Sequence, residues 1–360
     1  MILSGVAASL VSFGGCVTLT PVVRKLSLRF GAVDRAGPLK IHSRPIPRLG
    51  GIAVALSILF AVVVAHPAAT HESELSFIAA FAAVWLVGLA DDLRSMSPYG
   101  RLAMQIVPGV LLWLGGWRFS AAQWLPRTGI ASLGLVCVLV ILFANSVNFL
   151  DGADGVAGGI AAIIAMCYLA ISRNAGSAPL DSVVGWSMLG SSIAFLFFNF
   201  PPANIFLGDS GSTVLGFCIA FLTLTSAHSN TPADSRALLP FTLAGLPLLD
   251  AALAIVRRVK SNSSPLTGDR RHSYDLLMVR GWSPRNVAFA CYATTFAVGV
   301  VAWLSLHVSL RCFELSSIGS MSVLVFVAIR VGSLRTEDAR RQNREQACNV
   351  TPAGNSESSA

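Results

Sequence analysis

The sequence predicts an all-α membrane protein, a polytopic bundle of about eleven transmembrane helices, from its composition, the length of its apolar runs and the placement of its basic residues. Hydrophobic residues make up 54% of the 360 and charged residues only 12%, with a mean hydropathy of +0.67. A soluble domain carries about 25% charged residues. Apolar runs of about 17–23 residues recur, the length a helix needs to cross a hydrocarbon core about 30 Å thick. Lipid offers no partner to an exposed backbone amide, so helices are expected and strands are not.

Taken in order, the first run (2–23) lacks a basic leader and a small-residue cleavage pattern, and it reads as a retained helix instead of a signal peptide. The second (49–66) opens at Gly50 and Gly51 after a proline-rich connection. The third (75–90) closes on Asp91 and Asp92; it and the fourth (102–116) are short for a span. The fifth (130–147) and sixth (156–172) flank a Gly- and Asp-rich turn, and the seventh (181–199) and eighth (211–227) flank a second. The ninth (237–256) leads into a long basic connection, and the runs 286–308 and 314–330 complete the bundle. Residues 1–335 read as one membrane domain and 336–360 as a polar, disordered cytoplasmic tail. No fixed-period repeat or inverted symmetry is visible.

Orientation follows from the cations. Alternate connections hold 21 of the 26 Lys and Arg residues, concentrated in 24–48, 257–285 and the tail. The basic side is cytoplasmic, which places the N-terminus outside and the C-terminus inside. The net charge of +8 therefore reflects topology and attraction to anionic headgroups, and no nucleic-acid partner is expected. Five cysteines, Cys16, Cys137, Cys167, Cys218 and Cys291, fall in apolar runs, with Cys312 and Cys348 outside them. No CxxC or Cys/His spacing implies zinc or a disulfide framework. The outer connections HPAATHESE and SRNAGSAPLDS are chemically plain.

Five aspartates lie at the inner edges of these runs: Asp91, Asp92, Asp151, Asp154 and Asp209. Charge at membrane depth is expensive and marks ion or substrate sites. Asp91 and Asp92 read either as a polar helix stop or as a pair relieved by a cation; their position at a helix C-terminus opposes the dipole and favours function. Arg94 and Arg101 stand ready to offset the charge or hold an anion. In NSVNFLDGADGVAGG, Asn145, Asn148, Asp151 and Asp154 recur at steps of three and are expected on one face. The glycines there bring backbone N–H groups close to a ligand at a helix start, which suits a metal-bridged pyrophosphate better than two helix caps and packing. In FNFPPANIFLGDSGS, Asp209 reads as an N-cap or as a single metal ligand.

Two basic segments complete the set. In KIHSRPIPRLGG, prolines stiffen a loop bearing Lys40, His42, Arg44 and Arg48, either as a membrane anchor or as a grip on phosphate. In TGDRRHSYDLL, Arg270, Arg271 and His272 form a solvated basic face, or clamp a phosphate and shuttle a proton. Asp250, seven residues before Arg257, is expected to pair inside the bundle.

Together, and in this order on one side of the membrane, these motifs resemble the polyprenyl-phosphate N-acetylhexosamine-1-phosphate transferases, which include the WecA/TagO branch and the MraY translocases. The resemblance spans about residues 24–290. It implies a Mg²⁺-dependent reaction, with Mn²⁺ as a substitute, in which polyprenyl (undecaprenyl) phosphate attacks a UDP-N-acetylhexosamine and releases UMP. By match of position, Asp209 is implied as metal ligand with Asn148 and Asp151, and Asp91, Asp92, Asp151, Asp154 and His272 as the catalytic set. Asn199 falls at a uridine contact, and Lys40, His42, Arg48, Asn148, Arg270 and Arg271 at substrate contacts. MraY enzymes carry three consecutive histidines in the late basic loop and WecA-like ones a His-x-His pattern, whereas this chain reads RRHSYD. That departure and the eleven runs favour the WecA-like branch, with GlcNAc-1-phosphate the expected group. The resemblance further implies the bacterial inner membrane, a cytoplasmic active site, and a first membrane step in a cell-envelope polysaccharide such as O-antigen. A homodimer is left open.

Chemistry narrows the expected roles. A phosphate monoester has a second pKa of about 6, so the lipid phosphate needs little help from a general base. Bringing two anions together is harder, so cation binding is expected to matter more than base catalysis. Three alternatives fit the sequence less well. A CDP-alcohol phosphatidyltransferase would continue DGADG with further acids, which VAGGIAAIIAMCYL lacks. An intramembrane aspartyl protease needs a second Asp in a facing span. A secondary transporter with a cation-coupled acidic site would place its acids near the midplane of repeated halves.

Overall fold

The computed structural model describes residues 2–34, 45–65, 72–119, 128–172, 179–225, 233–266 and 271–334. The described chain is almost wholly helical: α1 (Ile2–Arg29), α2 (Gly50–Ala65), α3 (Glu72–Leu93), α4 (Pro98–Met104), α5 (Ile106–Leu114), α6 (Gly129–Leu150), α7 (Val156–Ser172), α8 (Pro179–Asn199), α9 (Gly208–Thr225), α10 (Ala233–Leu243), α11 (Gly245–Lys260), α12 (Ser273–Val279), α13 (Pro284–Val308) and α14 (Leu310–Arg330). Among the described residues, each of the eleven apolar runs is helical over most of its length. Among the described residues, seven helices suffice by length and composition alone to cross a membrane: α1, α3, α6, α8, α9, α13 and α14. Helices α2 and α7 are apolar but shorter.

Two runs expected as continuous helices are broken. The fourth splits at Gln105 into α4 and α5, and the ninth at Ala244 into α10 and α11. Proline explains both. Pro108 and Pro247 lack the N–H that would bond four residues back, to Met104 and Leu243, the last residues of α4 and α10. Asn145 Nδ2 donates to Gln105 Oε1 at 2.6 Å, tying the first break to α6.

Helix α9 is the centre, with every residue from Ser210 to Thr225 buried. Small residues let its neighbours come close, as membrane helices require where apolar surface alone gives no driving force. Helix α2 meets it backbone to backbone at Gly51 and Gly211, α3 at Gly88 against Ser210, and α6 at Ala144 against Gly216. Toward the C-terminal half of α9, Phe217 and Phe221 pack with Phe77, Phe81 and Trp117, with Phe77 and Phe221 centroids 4.4 Å apart.

One pairing departs from an all-helical chain. Val33–Asp34 (β1) and Ile46–Pro47 (β2) form a two-residue antiparallel ladder, Val33 opposite Pro47. The chain after it is stitched to the segment before α9: Phe206 N–H donates to Pro47 O at 2.7 Å, Gly50 N–H to Phe206 O at 3.0 Å, and Gly51 N–H to Leu207 O at 2.7 Å. These bonds fix Arg48 beside the N-terminus of α9.

Candidate active site

The end of the bundle where α3 and α6 stop and α9 starts opens into a cavity of about 800 Å³. That volume suits a small-molecule or cofactor site, which typically spans about 300–1,000 Å³. Asp92, Asn148, Asp151, Asp154, Asn199 and Asp209 line it on one side, and Arg48, His272, Tyr274 and Arg285 also face it.

The N-terminus of α9 organises the acids. The first amides of a helix have no partner within it and attract negative charge. Here Asp92, from the end of α3, takes two of them: Asp209 N–H donates to its Oδ1 at 2.8 Å and Ser210 N–H to its Oδ2 at 2.9 Å. The Gly208 amide stands near the Asp151 carboxyl. Asp209 is thus not the cap of its own helix; Asp92 supplies that contact from α3. Gly208 makes the approach feasible. Its φ of +73° lies in the left-handed region, and a Cβ there would sit 2.7 and 2.8 Å from the Asp92 carboxyl oxygens.

Asp91 and Asp92, adjacent on one helix, point apart. Asp91 accepts the Met96 N–H at 2.6 Å and an Arg101 Nη1–H at 2.9 Å. The same Arg101 nitrogen lies 3.7 Å from Asp209 Oδ2, so one guanidinium bridges two carboxylates. The pair is relieved by separation and by Arg101; Arg94 is exposed. Asn148 Nδ2 donates to Asp209 Oδ1, and to Ser212 Oγ at 3.0 Å, steadying Asp209 from α6.

The turn after α6 does not present four residues on one face, as the spacing of three predicts. The helix ends at Leu150, and Asp151 leaves it with φ −75° and ψ 8°. Asn148, Asp151 and Asp154 still line the cavity, while Asn145 bonds Gln105 and does not line it. Asp151 is partly open to the cavity by surface area, yet protein surrounds its carboxyl on most sides. Burial, then the charges of Asp209 and Asp92, push it well above the usual carboxylate range, against the pull of the Gly208 amide. Asp154 accepts the Ala203 N–H at 3.0 Å. Asn199, at the end of α8, accepts the Gly155 N–H at 2.9 Å and donates to Ile205 O at 2.9 Å, clamping two loops at the cavity wall.

Further lining comes from His272, α12 and the start of α13. His272 lies just before α12 and is 6% exposed. Its Nδ1 sits 2.5 Å from Asp250 Oδ2 in α11, so Asp250 pairs with His272. Arg257 instead donates to Ser333 O at 2.8 Å. Tyr274 stacks on the His272 ring at 5.5 Å and 6°, and its hydroxyl donates to Phe149 O at 3.0 Å beside Gly152, whose missing side chain leaves room for it. Arg285 reaches across to Pro201 O at 3.0 Å. Arg48 donates through Nη2 to the Asp92 carbonyl. Arg271 is buried next to His272 but does not line the cavity. Lys40, His42 and Arg270 lie outside the described residues.

Sequence reasoning gave no site role to Asp250, Tyr274 or Arg285. Asp250 does pair inside the bundle, as expected, but its partner is 22 residues away, beyond the reach of helical spacing. Tyr274 and Arg285 lay in the basic connection with nothing local to single them out.

Among the described residues, no three His, Cys, Asp or Glu side chains converge as a preformed metal cage. What the cavity offers is oxygen: Asp209 and Asp151 face it, and Asp92 stands close enough to act on both. Mg²⁺ is held in this way, by one or two carboxylates completed by water and substrate phosphate. The residues fit such an ion.

The fold and site define a polytopic membrane protein with an oxygen-rich acidic cavity at one end of its bundle. Comparison with known proteins gives the class a family. The profile of glycosyl transferase family 4 matches residues 74–227, which include Asp91, Asp92, Asp151, Asp154 and Asp209. The decaprenyl-phosphate N-acetylglucosaminephosphotransferase of Mycolicibacterium smegmatis is 31% identical over 333 residues, covering 84% of this chain and 80% of that one. Its counterpart in Mycobacterium tuberculosis is 32% identical over the same coverage. The undecaprenyl-phosphate alpha-N-acetylglucosaminyl 1-phosphate transferase of Escherichia coli is 26% identical over 275 residues, 73% of each chain. The chain belongs to the polyprenyl-phosphate N-acetylglucosamine-1-phosphate transferase family.

Proposed function

We propose that this protein transfers N-acetylglucosamine 1-phosphate from UDP-N-acetylglucosamine to a polyprenyl phosphate in the bacterial inner membrane, with its cavity on the cytoplasmic side. The observation that carries the reading is the set of four carboxylates, Asp92, Asp151, Asp154 and Asp209, facing one cavity at the N-terminus of a buried helix. The family's relatives are named for this transfer. The cytoplasmic placement rests on the loop charge asymmetry.

The reaction balances simply. An oxygen of the polyprenyl phosphate forms a bond to the sugar-bearing phosphorus, the bond from that phosphorus to the bridging oxygen breaks, and UMP leaves with the electron pair. The attacking phosphate is already largely dianionic near neutrality. Asp92 has both carboxyl oxygens engaged by α9 amides, so its part is to hold the helix start in place. Asp209 and Asp151 would hold Mg²⁺, which supplies charge neutralisation for the diphosphate when bound. Asn148 and Arg101 fix the direction of Asp209. Arg48, beside Asp92, and Arg285 and His272 offer donors to phosphoryl oxygens in the cavity. Asp154 and Asn199 shape the wall that the nucleotide meets.

The test uses the purified full chain with undecaprenyl phosphate, radiolabelled UDP-N-acetylglucosamine and Mg²⁺. Label is expected in the organic phase with an equal release of UMP. Chelation should abolish it, and Mg²⁺ or Mn²⁺ should restore it. Other UDP-N-acetylhexosamines run in parallel define the donor. Uptake into vesicles without lipid product would instead establish a transporter.

A further inference from the structure

We infer that Asp250 is a positioning residue for this transfer, fixing the His272 imidazole so that its Nε2 edge is the one offered to a phosphoryl oxygen in the cavity. The inference rests on the transferase reading above. Asp250 lies within α11, 3% exposed, and does not line the cavity. A buried carboxylate is costly and persists where hydrogen bonds compensate it. Its oxygens are divided between two neighbours: Oδ2 meets His272 Nδ1 at 2.5 Å, while Oδ1 accepts the Ser273 N–H at 2.8 Å and the Ser273 hydroxyl. An ionised carboxylate only accepts, so the proton between Asp250 and His272 resides on Nδ1.

With Nδ1 committed, whatever His272 exchanges with a ligand in the cavity passes through Nε2. The rest of the ring's freedom is removed as well. Tyr274 stacks flat against it at 6°, the Phe149 ring stands 5.6 Å away, and the His272 N–H donates to Asp275 Oδ2 at 3.2 Å. Bond, plane and backbone are each held by a different group. A carboxylate behind the ring lets both nitrogens carry protons when a phosphoryl oxygen docks, giving a charge-assisted Nε2–H bond. The same logic of a carboxylate setting tautomer and orientation operates wherever histidine works with a buried acid.

The test combines kinetics with ¹⁵N-histidine NMR on the full chain in nanodiscs, His272 being assigned by its loss in His272→Gln. The wild type should show a protonated, hydrogen-bonded Nδ1; an unprotonated Nδ1 overturns the inference without any Asp250 variant having to fold. Asp250→Asn should lower kcat by about 10- to 100-fold with little change in KM for the UDP-sugar. In the His272→Gln background the same change should cost less than about twofold, because Asp250 then has nothing to orient. A full effect in that background indicates a merely structural role and overturns the inference. A wild type that shows the Nδ1–H signature but makes no lipid product breaks the transferase reading. Normal product with an unaltered Asp250→Asn rate breaks this inference alone.

Discussion

Both ends of α9 meet a polar cluster that contains aspartate, and the two clusters are built on opposite principles. At the C-terminal end, Asp181 is 1% exposed and fully engaged by protein: the Ser182 N–H donates to Oδ1 at 2.7 Å and the Tyr168 hydroxyl to Oδ2 at 3.3 Å, with Thr225 Oγ1 3.5 Å from the Tyr168 oxygen. None of these residues lines the cavity. At the N-terminal end, carboxylates crowd one another and open onto a space about 800 Å³ in size. Burial of an acid is therefore not the signature of the site. Mutual repulsion left partly uncompensated beside a cavity is, because it creates a demand that a cation and a ligand can meet.

That contrast breaks if the two ends respond alike to mutation. The largest effect is expected for Asp209→Ala, a loss of turnover on the order of 10³-fold, equivalent to several kcal/mol of transition-state stabilisation. Lipid-product formation at saturating Mg²⁺ measures it, and retention of even a tenth of wild-type turnover would sink the metal assignment. Next, Asp92→Asn should cost about 10- to 100-fold, as loss of a group that orients a metal site does. Its rate should follow the wild-type pH profile, since both carboxyl oxygens are tied to α9 amides. A log-linear recovery toward high pH would instead make Asp92 a general base.

Gly208→Ala sharpens the comparison from the backbone side. A left-handed φ costs a residue with a Cβ about 1–2 kcal/mol, and the clash with the Asp92 carboxyl adds about 1–3 kcal/mol. Thermal unfolding in detergent should show the loss, together with reduced turnover. The smallest effect is expected at the opposite end. Asp181→Asn removes a charge whose partners can still be hydrogen-bonded, so it should cost about 1 kcal/mol of stability and leave turnover within about twofold. A collapse of turnover there would mean that the two clusters communicate.

The corrections to the sequence reading share one cause. SRNAGSAPLDS is chemically plain by local pattern, yet its Asp181 is buried, held by Tyr168 and Thr225 from helices that no local pattern connects to it. Asn145 keeps the spacing of the site residues but serves the break at Gln105, since α6 ends before the period of three can carry Asp151 and Asp154 onto its face. A missing N–H at Pro108 and Pro247 accompanies the two breaks, yet Pro21 and Pro240 sit inside unbroken helices, so proline in the sequence does not by itself mark where a helix stops.

The chain on its own determined the helical membrane architecture, since apolar length and the demand for internal backbone bonding act locally. It also singled out the acids at the ends of the apolar runs, because charge beside lipid is costly wherever the helix packs. Only tertiary structure decided that Asp92 serves the amides of another helix, that Arg101 bridges Asp91 and Asp209, and that Asp250 reaches across 22 residues to His272. Hydrogen bonds and ion pairs depend on distance in space, which the order of residues specifies only after the helices have packed.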